Sequence, residues 1–259
     1  MGTYSELTYE TDGYVGIITL NRPEARNALT YTTYQELRDA VLTADARCLV
    51  ITGADPAFCS GDDVKQIMAG DSEPPTDWKD RPSNLTPTAD ALLHTDIPVI
   101  AAVNGAAVGW GMELALMADL RVASERARFG ELFVKRGLCC DVPGLSRLVG
   151  AVGRERAAEL LFTGEIIDAA EALRIGLVGR VVPHDELMPA AMERAKVIAA
   201  NPPLAVAALK EGLRRAGDPD WHALGNWVSA NLARLFRTDD HKEGVASFLE
   251  KREPVYRGS

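Results

Sequence analysis

An apolar strand, a run of glycines and an apolar helix follow one another without a break in PVIAAVNGAAVGWGMELALMADL, residues Pro98–Leu120. That order strongly restricts the fold. PVIAAVN reads as a buried strand, the glycines as a turn, and WGMELALM as a helix with apolar residues on every side. The same order recurs. CLVIT leads through the turn GADPAFCSGDD into a short helix expected near Asp62, and LRVAS with ARFGEL leads through GLCCDVPGLSRL into another helix. Strand, small-residue turn and helix in succession favour a wound α/β architecture over separate strand and helix blocks, without a fixed-period repeat.

The ends of the chain behave differently. LTYET, a turn at Asp12-Gly13 and YVGIITL form an expected hairpin; Thr30 is positioned to cap a helix running to about Ala46. Residues 70–87 carry four prolines and read as a surface loop. From about Asp185 every segment has helical spacing, which divides the chain into an α/β part, 1–184, and a helical part, 185–259. One of these helices presents Trp221, Leu224, Trp227, Val228, Asn231, Leu232, Leu235 and Phe236, a face that the fold or another subunit must cover.

With 259 residues, 47% of them hydrophobic, the chain has material for one large core. A formal charge of −9 argues against a general nucleic-acid partner, though an anionic small ligand needs only a local cluster of donors. Cys48, Cys59, Cys139 and Cys140 have no metal or disulfide-framework spacing, which fits a reducing, cytoplasmic setting. The histidines His94, His184, His222 and His241 show no metal spacing either, so no metal is expected. The N-terminal residues lack the regions of a signal peptide, and Asn104, Glu113 and Asp119 interrupt the long apolar stretch, so no membrane span is expected.

The glycine turn is not a dinucleotide fingerprint: Gly109-x-Gly111 would need a glycine at 114, which is Leu114, and no Gly-Lys-Ser/Thr follows. It has instead the makings of an N–H donor site at a helix start, where backbone amides point outward and the dipole favours negative charge. FCSGDDVKQI repeats that layout, so Ser60-Gly61-Asp62 and Gly109-Trp110 either supply two amides to one carbonyl oxygen or are ordinary strand-to-helix turns. Glu113 lies in the first turn of an apolar helix. Burial raises a carboxyl pKa and a helix start lowers it, which suits either proton transfer or a carboxylate satisfied by backbone N–H groups. Asp141, before Val142-Pro143-Gly144, is a catalytic candidate or a helix cap. Cys139 and Cys140 have no histidine nearby, and no Gly-x-Ser-x-Gly elbow is present.

Taken together, LNRPEARNAL, AFCSGDDVK, PVIAAVNGAAVGWGMELALMADLRVA, ARFGE, AAELLFTGEIIDAAEALRIGLVGRVVP and TDDHKEGVASFLEKR resemble the crotonase superfamily, the enoyl-CoA hydratase/isomerase group, over nearly the whole chain. The resemblance implies a spiral of ββα units, a C-terminal helical region that packs homotrimers or homohexamers, and an acyl-CoA thioester substrate, with coenzyme A entering only as part of that substrate. It implies that the amides of Asp62 and Trp110 hold the thioester oxygen while an enolate forms, and that Glu113 matches the first hydratase glutamate. The second falls at Phe133, which cannot activate water. Asp141 matches the working aspartate of isomerase-like members, whereas Glu131, two residues before Phe133, is a weaker substitute. Arg26 and Lys251 match coenzyme A contacts, Lys251 toward a neighbouring subunit, and Ser60, Gly61 and Gly109 frame the thioester. The expectation is double-bond isomerisation ranked above hydration. A nucleophilic or C–C bond reaction at Asp141, or a non-catalytic acyl-CoA-binding protein, are the alternatives.

Overall fold

Among residues 4–68, 73, 75 and 85–258, which the computed structural model describes, ten strands divide between two sheets. The strands are β1 (Leu7–Asp12), β2 (Val15–Leu20), β3 (Cys48–Gly53), β4 (Ala57–Cys59), β5 (Val99–Val103), β6 (Ala106–Val108), β7 (Leu120–Ser124), β8 (Arg128–Gly130), β9 (Ile167–Asp168) and β10 (Arg180–Val182). One sheet has the order β1-β2-β3-β5-β7-β10 and the other β4-β6-β8-β9. The expected hairpin is β1–β2, antiparallel, with Asp12 opposite Val15 and Gly13 at φ +60 in its turn. All other pairings are parallel except β8–β9.

The recurrence seen in the sequence is therefore a winding rule. In β3–β4, β5–β6 and β7–β8 the first strand enters the large sheet and the second the small one, and because each sheet is parallel through these strands, successive units stack in the same sense. The corners stack backbone on backbone. A Cβ on Gly105 would lie 2.2 Å from the Pro56 carbonyl oxygen, so only glycine fits between two neighbouring units.

The described residues also form ten α-helices: α1 (Tyr31–Leu42), α2 (Pro87–His94), α3 (Trp110–Met117), α4 (Val142–Val152), α5 (Arg154–Thr163), α6 (Ala169–Arg174), α7 (Leu187–Ala199), α8 (Pro203–Gly217), α9 (Trp221–Leu235) and α10 (Asp239–Glu250). Thr30 caps α1 through a reciprocal pair, its hydroxyl accepting from Thr33 N–H and the Thr33 hydroxyl accepting from Thr30 N–H, each at 3.1 Å. The helix stops at Leu42 rather than near Ala46, with Thr43 at its end. The helix expected at Asp62 is one wide turn, Val64–Met68, and the expected loop at 70–87 lies mostly outside the described residues, its last two, Thr86 and Pro87, opening α2 as cap and first residue.

The main core packs α1, α2, α3 and α4 against one face of the large sheet and against the small sheet. The other face of the large sheet, with Val50, Ile100 and Ala102, is covered by Leu187, Ala191 and Ala195 of α7. Small residues on α7 let the helix lie close to the strands, which buries the parallel sheet on both sides. On α9, Trp221 and Val228 are buried while Trp227 remains 54% exposed. More strongly uncovered residues lie on α8, where Leu204, Leu209 and Leu213 are 85%, 70% and 71% exposed, the last two one turn apart on the same side. No helix among the described residues is long and apolar enough to cross a membrane.

Candidate active site

Parallel pairing brings three turns to one sheet edge. β4 and β8 flank β6, with Ala57 opposite Ala106 and Val108 opposite Gly130. The segments leaving their C-terminal ends, Ser60-Gly61-Asp62, Gly109-Trp110 and Glu131-Leu132-Phe133, therefore emerge side by side. Gly61 has φ +87, and a Cβ there would sit 2.9 Å from the Val108 carbonyl oxygen and 3.3 Å from the Trp110 amide nitrogen. The first two turns are thus in contact across one glycine.

Their amides are available. Leu29 pairs with Asp62 as an isolated parallel bridge, so the Leu29 N–H goes to Gly61 and the Leu29 carbonyl accepts from Asp63, leaving the Asp62 N–H on the opposite side. Trp110 is the first residue of α3, where an N–H has no partner inside the helix. Neither amide donates a hydrogen bond among the described residues. Both residues border a cavity of about 380 Å³.

That cavity collects seven of the ten expected site residues: Arg26, Ser60, Gly61, Asp62, Gly109, Trp110 and Phe133. It also has walls that the sequence did not disclose, among them Arg128, Arg136, Ile166 and Phe248. Arg128 follows the β8 register and Phe248 arrives from α10, so neither had a local motif to mark it. With Arg26, Arg128 and Arg136 on its border, the cavity is suited to an anionic ligand despite the acidic chain. Lys251 does not border it; it ends α10 in the left-handed region (φ 55), three residues beyond Phe248.

The acids lie behind Trp110. Glu113 is fully buried; its Oε1 accepts from the Asp141 N–H at 3.0 Å and its Oε2 from the Gly144 N–H at 2.7 Å. One turn into α3, Glu113 thus caps the N-terminus of α4, whose second residue, Pro143, has no N–H to satisfy. The Glu113 carboxyl is thus bonded to backbone amides supplied by the next helix, which leaves proton transfer by the same group untested. Asp141 is the N-cap residue of α4, but its side chain does not cap that helix; it borders a small space shared with Trp110, Thr86 and Ala89.

Burial pushes the Glu113 carboxyl well above its usual range, with Glu131 and Asp141 adding to the rise and the two N–H bonds opposing it. Glu131 is only 1% exposed, neither of its carboxyl oxygens has a hydrogen-bond partner among the described residues, and burial together with Asp141 likewise holds it well above the carboxylate range. It borders a second, largely apolar cavity of about 400 Å³, and Phe133 forms part of the wall of both cavities. Glu131 and Phe133 are thus near one another, as an extended segment would have them, but the carboxyl is withdrawn from the cavity with the two amides.

Burial pushes the Cys48 and Cys59 thiols up to about 12 and also raises Cys139 and Cys140, which fits small core residues better than nucleophiles. Asp90, His94 and His222 bring ligand atoms within 4.8 Å of one another, a spacing that a cation could bridge. Sequence spacing missed this group because α2 and α9 meet only in the tertiary fold. It borders neither of the two large cavities just described.

Replacing Gly61 is expected to destroy the paired-amide arrangement. Gly61→Ala forces a side chain into a left-handed backbone conformation and against the neighbouring turn, and loss of one such donor costs about 10²–10³ in kcat. Turnover and melting temperature measured together check this: wild-type turnover in Gly61→Ala would mean that the two turns are not the reacting site.

A family model described as enoyl-CoA hydratase/isomerase matches residues 10–259. A probable enoyl-CoA hydratase of Mycobacterium bovis is 36% identical over 98% of either chain. Among solved structures, an enoyl-CoA hydratase/isomerase from Pseudoalteromonas atlantica superposes with a TM-score of 0.89 at 30% identity, covering 98% of this chain and 100% of that one. A carnitinyl-CoA hydratase from Mycobacterium avium gives a TM-score of 0.86 at 36% identity, covering 99% of this chain and 100% of that one.

Proposed function

The chain belongs to the enoyl-CoA hydratase/isomerase family of the crotonase superfamily, and on that footing we propose that it moves a carbon–carbon double bond in an unsaturated acyl-CoA thioester. The thioester oxygen sits between the amides of Asp62 and Trp110, which stabilise the charge of the enolate. Arg26, with Arg128 and Arg136, receives the phosphates of the coenzyme A portion. Asp141 is the base that removes a proton beside the thioester, and Glu113 holds the start of α4, and so Asp141, in place. No separate cofactor or metal enters this scheme.

One observation carries the preference for isomerisation. In the two-glutamate hydration that the family resemblance implies, water is activated by a second carboxyl carried on the third turn. On the third turn that wall of the cavity is Phe133, while Glu131 is buried with no accessible oxygen. Hydration is the second reading, favoured by the hydratase names of the similar proteins.

The two readings separate when 2-enoyl- and 3-enoyl-CoA are offered in deuterated water. Isomerisation puts label at the α- or γ-carbon with no hydroxyacyl product; a hydroxyacyl product as the main outcome overturns the preference. A stable acyl adduct on Asp141 would point to nucleophilic chemistry, and tight binding without exchange to a non-catalytic acyl-CoA-binding protein.

Assembly as a homotrimer or homohexamer belongs to the same reading, supported by the exposed leucines on α8. Sedimentation as a monomer at micromolar concentration would exclude it.

A further inference from the structure

The paired-amide scheme asks only for the main chain of residue 62, yet this chain carries a carboxyl there. Asp62 borders the cavity of about 380 Å³. Its Oδ1 accepts a 2.6 Å hydrogen bond from the hydroxyl of Tyr34, which is buried on the inner face of α1. The Tyr34 ring meets Trp110 edge-on with centroids 4.6 Å apart. Trp110 in turn borders both the Asp62 cavity and the small space beside Asp141. Asp62 and Asp141 thus border two spaces that share Trp110, the residue whose main chain supplies the second amide, and Asp62 is fixed in orientation by a buried tyrosine.

A charged Asp62 would oppose the enolate, since it would put a negative group next to an oxygen that is gaining negative charge. Neutral, the same group has a proton to give. Extending the isomerase reading above, on which this rests, we infer that the Asp62 side chain is a catalytic acid, steered by Tyr34, that protonates the dienolate which Asp141 generates. Asp141 takes the proton from the α-carbon, and the electron pair of that C–H bond passes into the conjugated enolate. A bond then forms between the γ-carbon and the Asp62 proton, the O–H bond breaks, and the thioester carbonyl is restored. Asp62 is left as carboxylate and Asp141 as acid; one proton passed from Asp141 to Asp62, directly or through water, restores both.

The surroundings agree. Burial pushes the Asp62 carboxyl up to about 7, with Asp141 and Asp63 adding to the rise and the Tyr34 bond opposing it. The other titratable neighbours are Tyr31, Tyr34 and Cys59, all raised by burial, so they stay neutral through the same range, and Asp63 is paired with Arg22 at 3.4 Å. The acid must be protonated to act, so turnover is expected to fall as pH rises through about 7.

The test uses Asp62→Asn and Asp62→Ala, which both keep the amide, beside Tyr34→Phe, with melting temperature confirming the fold. Starting from 3-enoyl-CoA deuterated at the α-carbon, both Asp62 variants are expected to keep washing out α-label while transfer of the double bond falls by at least about 10²-fold. The fall in rate near pH 7 should vanish in them and move in Tyr34→Phe. Wild-type transfer with an unchanged pH profile in both Asp62 variants overturns the inference, and so does equal loss of washout and transfer in variants that remain folded, because the side chain would then act only on the shape of the turn. Wild-type protein with neither washout nor transfer would instead sink the isomerase reading itself.

Discussion

Asp141→Asn is expected to lower kcat for double-bond transfer by about 10²–10⁴-fold while leaving the fold almost unchanged. The asymmetry follows from how residue 141 is used. Its backbone N–H donates to Glu113, its carbonyl accepts from Leu145, and neither depends on the side chain. Asparagine is among the preferred residues at a helix N-cap, so the start of α4 is retained. The carboxylate is lost, and with it the means of taking a proton from carbon. Stopped-flow turnover and thermal melting on the same preparation decide the matter. If turnover survives within a few-fold, the Asp141 carboxyl is not the base and the base must be sought elsewhere.

Glu113 should show the reverse balance, with a large effect on stability. Each of its oxygens accepts one backbone N–H, and glutamine has a single acceptor oxygen. Glu113→Gln therefore turns an NH₂ group toward a buried N–H donor. Leaving one buried donor without its partner costs about 1–3 kcal/mol, or roughly 2–12 °C in melting temperature for a chain of this size. The deficit is expected to depend on pH. Burial raises the Glu113 pKa in the folded protein, so its contribution is fully present below the unfolded carboxyl value and is lost as pH rises through the folded one. Glutamine does not titrate. The gap between wild type and variant should accordingly narrow from pH 5 to pH 8. A gap that stays flat over that range would show that the carboxyl is already charged in the folded protein at pH 5.

Much of the architecture could be read from local signals because local physics produces it. Asp12-Gly13 can only be a tight turn between alternating strands, and Thr30 followed by Thr33 carries its own cap. The glycine turns were legible too, since Gly61 and Gly109 adopt backbone conformations that other residues resist. What stayed hidden involves partners far apart in the chain. The strands β4, β6 and β8 have three residues each, and nothing in runs so short says that they form a second sheet. Tyr34 reads as one more apolar position of α1 until Asp62 is found at its hydroxyl.

The order of strands, turns and helices, the two glycine-framed turns and the carboxyl groups near them follow from neighbouring residues alone, because backbone preference and hydrophobic period act over a few residues. Where each carboxyl sits and what it bonds to depend on the packing of distant segments. Glu113 accepts from the amides that open the next helix, Glu131 has no hydrogen-bond partner among the described residues, and Asp62 meets a tyrosine and shares the Trp110 wall with Asp141. A carboxyl's proton affinity is set by burial and by neighbours that arrive from elsewhere in the chain, and those exist only once the sheets have stacked.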